Sequence, residues 1–199
     1  MTKSQLRKKY LARQKSLSRD EIVKRSKIVT NRFFDYFDLT TVRFLHCFIS
    51  IDKFHEIDTS PLIQRIWEEF PHVRTLVPRV DFHSGALESL TIGEHTRMVR
   101  NVWGILEPSH DETVESKLID IVVVPGLAFD GDGHRVGYGK GLYDHFLNIC
   151  REDCPKVGLS FFEPVDQIAD TYAGDARLDF LITPTKTYSF TNLRSERRQ

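Results

Sequence analysis

The densest chemistry in the chain lies between Pro125 and Asp144, which reads Pro-Gly-Leu-Ala-Phe-Asp-Gly-Asp-Gly-His-Arg-Val-Gly-Tyr-Gly-Lys-Gly-Leu-Tyr-Asp. Six of the protein's 11 glycines fall between residues 126 and 141. Glycines that leave a strand and enter a helix let backbone N–H groups approach phosphate oxygens, and the helix N-terminus favours negative charge. Arg135 and Lys140 add mobile positive charge. Asp144, about one turn into the helix, is placed to hold Mg²⁺ against phosphate. Two familiar phosphate fingerprints do not match: Gly141 is followed by Leu142 and Tyr143 rather than the Lys-Ser/Thr of a P-loop, and Leu142 stands where a dinucleotide loop needs its third glycine after Gly137 and Gly139. A tight turn at Asp130 to Gly133 followed by an ordinary helix is the plainer reading of the same residues.

Lys3 and Arg7, four apart, share one face of a basic N-terminal helix. Such a face is either solvated, the commoner outcome, or an RNA-binding arm, which would interleave aromatics that are missing here. Asp175, with Arg177 and Asp179, precedes the last strand, where carboxylates usually form turns; a metal role requires Asp144 nearby. Glu56 sits in a polar loop and Trp103 in a Gly-Pro loop. The eight histidines fall into no ligand or catalytic spacing.

The elements that must position these groups follow from periodicity. Residues 3 to 16 read as a helix with Leu6, Tyr10 and Leu11 on one side. Ser18 and Glu21 have capping-box spacing for a second helix, whose face is Ile22, Ser26, Val29, Phe33 and Phe37. Val42 to Ile49 is a β-branched and aromatic strand, and Ser50 to Asp58 is turn-like. Thr59 is placed to cap a helix carrying Pro61, Leu62, Ile63, Ile66, Trp67 and Phe70. Val73 to Val77 is a strand closed by Pro78, and residues 80 to 100 form a hairpin around Ser84-Gly85. Ile119 to Pro125 is a near-continuous apolar run broken only by Asp120, as fits a central parallel strand covered on both faces. A helix over Leu142 to Cys150 and strands over Lys156 to Phe161 and Phe180 to Ile182 complete an α/β arrangement with a largely parallel sheet. A single domain is expected over 1–199, with the helices of 3–37 packed on it and 190–199 as a loose tail that includes Arg194, Arg197 and Arg198.

Composition narrows the class. The 199 residues (23.1 kDa) are 40% hydrophobic and 28% charged, with 28 basic against 28 acidic side chains. That excludes a disordered chain and a coiled coil, and zero net charge disfavours a nucleic-acid coat. No apolar run approaches membrane-helix length. Three cysteines (Cys47, Cys150, Cys154) read as reduced thiols, and the basic first nineteen residues run straight into a capped helix, so a cytoplasmic protein is expected.

Taken together the residues resemble the 5-formyltetrahydrofolate cyclo-ligase family, also called methenyltetrahydrofolate synthetases. The likeness rests on Val124-Pro-Gly-Leu-Ala-Phe-Asp130, then Gly133-His-Arg135-Val-Gly137-Tyr-Gly139-Lys-Gly141-Leu-Tyr143-Asp144. Lys3, Leu6-Arg7, Glu56 to Thr59, Pro78-Arg79, Trp103 to Pro108 and Asp175 to Asp179 extend it over residues 3 to 183. Leu142 is a departure, since the family often has an aromatic there. The resemblance implies a three-layer α/β/α sandwich shared with sugar-phosphate isomerases and CoA transferases. It implies irreversible, ATP- and Mg²⁺-dependent conversion of 5-formyltetrahydrofolate to 5,10-methenyltetrahydrofolate with release of ADP and phosphate. By that resemblance ATP is met by Lys3, Arg7, Arg135, Val136, Gly137, Tyr138, Gly139, Lys140, Gly141, Leu142 and Tyr143. Asp144 and Asp175 bind Mg²⁺, and Ile51, Glu56, Trp103 and Tyr138 to Leu142 line the folate site. No protein nucleophile is needed, and the expected partners are small molecules (ATP, 5-formyltetrahydrofolate and its polyglutamates), with no nucleic acid or membrane and a monomeric chain. Two other readings differ in what they require. A sugar-phosphate enzyme of similar fold would leave Lys3 and Arg7 idle, and a non-catalytic anion- or RNA-binding module would ignore Asp144 and weaken steeply with salt.

Overall fold

Ile121–Val124 lies in the middle of an eight-stranded sheet in the computed structural model, which describes residues 1–81, 83–102, 104–110 and 112–190. In chain order the strands are β1 (Phe44–Cys47), β2 (Arg74–Val80), β3 (Leu87–Ile92), β4 (Met98–Arg100), β5 (Leu106–Pro108), β6 (Thr113–Val114), β7 (Ile121–Val124), β8 (Ala128–Phe129), β9 (Arg135–Val136), β10 (Lys156–Leu159), β11 (Phe180–Ile182) and β12 (Thr187–Ser189). The helices are α1 (Lys3–Lys15), α2 (Arg19–Tyr36), α3 (Ser60–Glu69) and α4 (Leu142–Ile149). The sheet runs β12-β11-β10-β7-β1-β2-β3-β6. Its inner five strands, β11 to β2, are parallel, and β12, β3 and β6 are antiparallel additions at the two sides.

The two-residue period of β7 divides the core. Ile121 and Val123 pack with Leu6, Phe33 and Leu62 of the first three helices, whereas Val122 and Val124 pack with Phe146 and Leu147 of α4. Helices therefore cover both faces, which is the three-layer α/β/α sandwich and the reason the strand is apolar throughout. Asp120 aligns β1 with β7 by accepting hydrogen bonds from Arg43 N (2.8 Å) and Phe44 N (2.9 Å). No helix among the described residues is long and apolar enough to cross a membrane.

α2 begins on the Ser18/Glu21 capping box, with both reciprocal bonds made. An unforeseen second box, Thr2 with Gln5, starts α1 and so fixes where Lys3 and Arg7 point. Other expectations are corrected. Thr59 occupies the N-cap position of α3 as expected, but makes no side-chain cap: its hydroxyl donates to Phe48 O (2.8 Å), and the Asp58 carboxylate accepts Ser60 N. Pro78 does not close β2, which runs on to Val80; Pro78 lies beyond the last pairing with β1 (His46↔Leu76), so its missing N–H breaks no bond of the parallel ladder. The hairpin around Gly85 is built from β2 and β3, so it begins before residue 80 and ends at Ile92, and β4 pairs with β5 instead. The strand expected over 42–49 shortens to Phe44–Cys47. The one expected over 156–161 stops at Leu159, where Ser160 Oγ turns the chain by accepting Phe162 N. Of the expected loose tail over 190–199, Phe190 is instead buried in the core beside α4, with its N–H on Asp179 O (2.8 Å), and 191–199 with the three arginines lie outside the described residues.

Candidate active site

From β1 the chain moves outward on one side to β2, and from β7, which pairs with β1, it moves outward on the other side to β10 and β11. Ligands of open parallel sheets bind beyond the strand carboxyl ends at such a reversal. The segments leaving β1, β7 and β10 there are the Phe48 to Asp58 loop, the glycine segment from Pro125, and Ser160-Phe161.

The glycine segment has two halves. Its first is the plain turn: β8 and β9 form a hairpin in which Gly133 N donates to Asp130 O (3.2 Å), and Asp130 Oδ1 accepts Asp132 N and His134 N. Its second, Gly137 to Gly141, carries the anion-facing features. Gly139 has φ +93°, and a Cβ there would meet the Arg7 guanidinium carbon at 3.3 Å. Gly141, at φ +70°, precedes the first turn of α4.

α1 lies against this segment, held by Leu6 and Tyr10 in the core. Arg7 Nε donates to Gly137 O (2.9 Å), and Lys3 Nζ reaches both oxygens of Asp175 at 2.5 Å. The two basic residues are therefore not a solvated face. Arg135 is buried with Nη2 3.1 Å from Asp144 Oδ1, and its Nε has no hydrogen-bond partner. Burial pulls the Arg135 guanidinium pKa downward, against the charges of Asp144, Tyr143 and Asp175; an arginine nonetheless stays charged. Asp144 also accepts Ala176 N (3.3 Å), and Asp175 accepts Tyr172 N (2.9 Å). Two carboxylates and two cations thus share one corner.

Among the described residues no three His, Cys, Asp or Glu side chains form a ready metal cage. Two carboxylates completed by phosphate oxygens are nevertheless a fitting donor set for Mg²⁺, which keeps few protein ligands. The unsatisfied Arg135 Nε beside them fits an incoming anion.

Next to this corner stands a second wall. Glu56 is buried, accepts Ile51 N (2.6 Å) and takes the Tyr138 hydroxyl. Burial pushes its carboxyl up to about 7, against those two hydrogen bonds. The Tyr138 ring stacks on Phe54 (centroids 4.7 Å apart, 23° between planes). Gln14, on α1, donates to Phe54 O (2.7 Å) and to the Tyr138 hydroxyl (3.5 Å). A cavity of about 10 Å³, room for one water, lies between Gln14, Glu56, Gly126 and Ser160.

The structure thus gathers Lys3, Arg7, Arg135, Gly137, Tyr138, Gly139, Asp144 and Asp175, with Ile51 and Glu56 alongside. Val136 is buried in the core, and Leu142 packs toward Phe146, so both leave mainly their backbone to a ligand. Lys140 is exposed. Trp103 lies outside the described residues. Sequence reasoning missed Gln14, although it continues the stripe of Lys3 and Arg7 at steps of four and seven. It also missed His46, buried on β1 with Nδ1 2.8 Å from Ser89 Oγ and Nε2 3.4 Å from the Tyr143 hydroxyl. Burial pushes the His46 imidazole down to about 3, so it is neutral at physiological pH.

A family model described as the 5-formyltetrahydrofolate cyclo-ligase family matches residues 1–184. A mouse 5-formyltetrahydrofolate cyclo-ligase is 28% identical over 152 residues, covering 73% of each chain. An Escherichia coli K12 protein of the same name is 26% identical over 181 residues, 89% of this chain and 98% of that one. A solved Aquifex aeolicus 5,10-methenyltetrahydrofolate synthetase superposes with a TM-score of 0.82 at 27% identity, covering 96% of this chain and 93% of the other.

Proposed function

This chain belongs to the 5-formyltetrahydrofolate cyclo-ligase family, and from that premise we propose how its own residues divide the work. The enzyme is an ATP-dependent ligase that converts 5-formyltetrahydrofolate to 5,10-methenyltetrahydrofolate. The formyl carbon is a poor electrophile because N5 donates into it. Moving the γ-phosphoryl group from ADP's oxygen to the formyl oxygen makes that oxygen a leaving group and the carbon strongly electrophilic. N10 of the same substrate then bonds to the carbon, loses its proton, and the C–O bond breaks to release phosphate. Both reacting centres belong to one molecule, so the protein's task is positioning and charge neutralisation.

In this reading Lys3, Arg7, Arg135 and the backbone of Gly137 to Tyr143 hold the phosphates, with Asp144 and Asp175 holding Mg²⁺. The metal, when bound there, neutralises charge on the phosphate oxygens. Glu56, Ile51, Tyr138 and the glycine backbone orient the pterin. The whole chain works as one cytoplasmic, monomeric unit on 5-formyltetrahydrofolate and its polyglutamates. The observation that carries the assignment is the placement of α1, whose Lys3 meets Asp175 and whose Arg7 meets the glycine segment while Gln14 meets the Glu56 wall. The test is near-ultraviolet absorbance of 5-formyltetrahydrofolate with and without Mg-ATP. An ATP-dependent rise from the methenyl product supports the reading, and a folded protein that binds ATP but gives no rise refutes it.

Glu56→Gln separates two consequences of burial. Because the folded carboxyl sits near 7 against an ordinary 4.5, its contribution to stability is complete below about 4.5 and is lost as pH rises through 7. Removing it should flatten the fall in unfolding temperature between pH 5 and 8, a change on the order of 3 kcal/mol. The same variant should raise the folate KM about tenfold, since Gln cannot present a carboxylate to the pterin N–H groups. An unchanged folate KM would remove Glu56 from the substrate site.

A further inference from the structure

The turn that carries Glu56 is held only in part by its own hydrogen bonds. His55, just before it, sits in the left-handed region at φ 53° without being glycine, and its Nδ1 is buried with no hydrogen-bond partner. Such a conformation persists only where surrounding groups over-determine it. The turn's own backbone contributes Phe54 N to Ile51 O and His55 N to Asp52 O, both 2.9 Å. From outside, Gln14 joins the Tyr138 ring and the bond of Asp58 N to Ser26 Oγ (3.0 Å) in fixing it. The Gln14 amide nitrogen takes the Phe54 carbonyl at 2.7 Å and reaches the hydroxyl of Tyr138, the ring that stacks on Phe54 and bonds Glu56. α1 does not need an amide there. The stripe it continues, Leu6 and Tyr10, is anchored in the core, and the helix end is closed by Ser16 N on Ala12 O. A buried amide is tolerated only where its bonds are made.

We propose that Gln14 is a positioning residue for the folate half of the site: through the Phe54 carbonyl and the Tyr138 hydroxyl it sets where Glu56 and the Phe54–Tyr138 stack meet the pterin. The proposal rests on the cyclo-ligase reading of that wall. It makes α1 a shared beam, with Lys3 and Arg7 serving the nucleotide and Gln14, about three and two turns further along, serving the other substrate.

Sharing one helix supplies the discriminating test, steady-state kinetics of Gln14→Met. Methionine keeps the length and apolar stem but donates nothing. The KM for 5-formyltetrahydrofolate is expected to rise about tenfold while that for ATP stays within about twofold. A merely structural role would loosen α1 and carry Lys3 and Arg7 with it, so equal rises in both KM values overturn the proposal, as does an unchanged folate KM. Tyr138→Phe keeps the stack and removes the hydroxyl, and combined with Gln14→Met it should cost less than the product of the two single losses; full multiplicativity counts against a shared route. Should the Met variant fail to fold, Gln14→Glu, of the same shape and without amide donors, is read for the same split. Wild-type protein without ATP-dependent turnover sinks the family reading itself, whereas an active wild type with no split sinks only the role of Gln14.

Discussion

Asp144→Asn is expected to lower kcat/KM for Mg-ATP by about 10² to 10³ while leaving the folate KM nearly unchanged. Asparagine preserves the size and the acceptor that Ala176 N uses, so the first turn of α4 has no steric reason to move. What it loses is the charge, and that charge has two duties. In the proposed reaction it holds Mg²⁺ against the phosphates, so the variant should need far more Mg²⁺ for half-maximal rate. In the unliganded protein it balances Arg135, whose Nη2 lies 3.1 Å away with only 4% of that side chain exposed. Removing one partner of a buried pair leaves the other uncompensated. Since 23% of the Asp144 side chain is open to solvent, the stability cost should be about 1 to 2 kcal/mol, well below the fully buried case. Thermal unfolding followed alongside turnover separates the two: a folded variant that has lost rate supports the metal and phosphate role, and turnover within a few-fold of wild type removes Asp144 from it.

The Arg135–Asp144 pair also shows where reading a chain stops. β7 could be recognised because a parallel strand buried on both faces has no polar phase to hide it, and α2 because a capping box is a local pattern. The glycine segment announced itself by composition. The pairing of Asp144 with Arg135, nine residues earlier, depends on a hairpin folding back against a helix start, and the pairing of Asp175 with Lys3 spans nearly the whole chain. Lys3 had a sufficient local explanation as a solvated charge and Arg135 as mobile charge of the glycine loop, so nothing in their spacing named either partner. Thr59 stands at the N-cap without a side-chain cap for the related reason that a distant partner, Phe48 O, takes its hydroxyl. Gln14 carries the same lesson: its partners, Phe54 and Tyr138, are 40 and 124 residues away.

Gly133→Ala should destabilise the fold by about 3 to 5 kcal/mol, a large part of the 5 to 15 kcal/mol typical of a domain. Two costs combine. Its φ of +83° is a region that side chains enter at about 1 kcal/mol or more. A Cβ there would also lie 2.7 Å from the backbone oxygen of Leu178 and 3.1 Å from the Phe190 ring. The near neighbour is main chain rather than the end of a flexible side chain, so relief requires moving the segment that enters β11, which is tied back by Leu178 N on Gly133 O (2.8 Å). Gly131→Ala, two residues earlier in the same turn, is the control, because its Cβ would find nothing nearer than Asp166 O at 4.0 Å. It should change stability by no more than about 0.5 kcal/mol. In urea unfolding the Gly133 variant should show a much lower midpoint with an unchanged slope, and the Gly131 variant should overlay the wild type. Equal effects at both positions would mean the turn is governed by chain entropy rather than by the approach to Leu178. Within one glycine-rich motif, then, Gly133 answers to the fold, since its partner is the strand entrance, while Gly139 answers to the site, since what a side chain there would displace is Arg7.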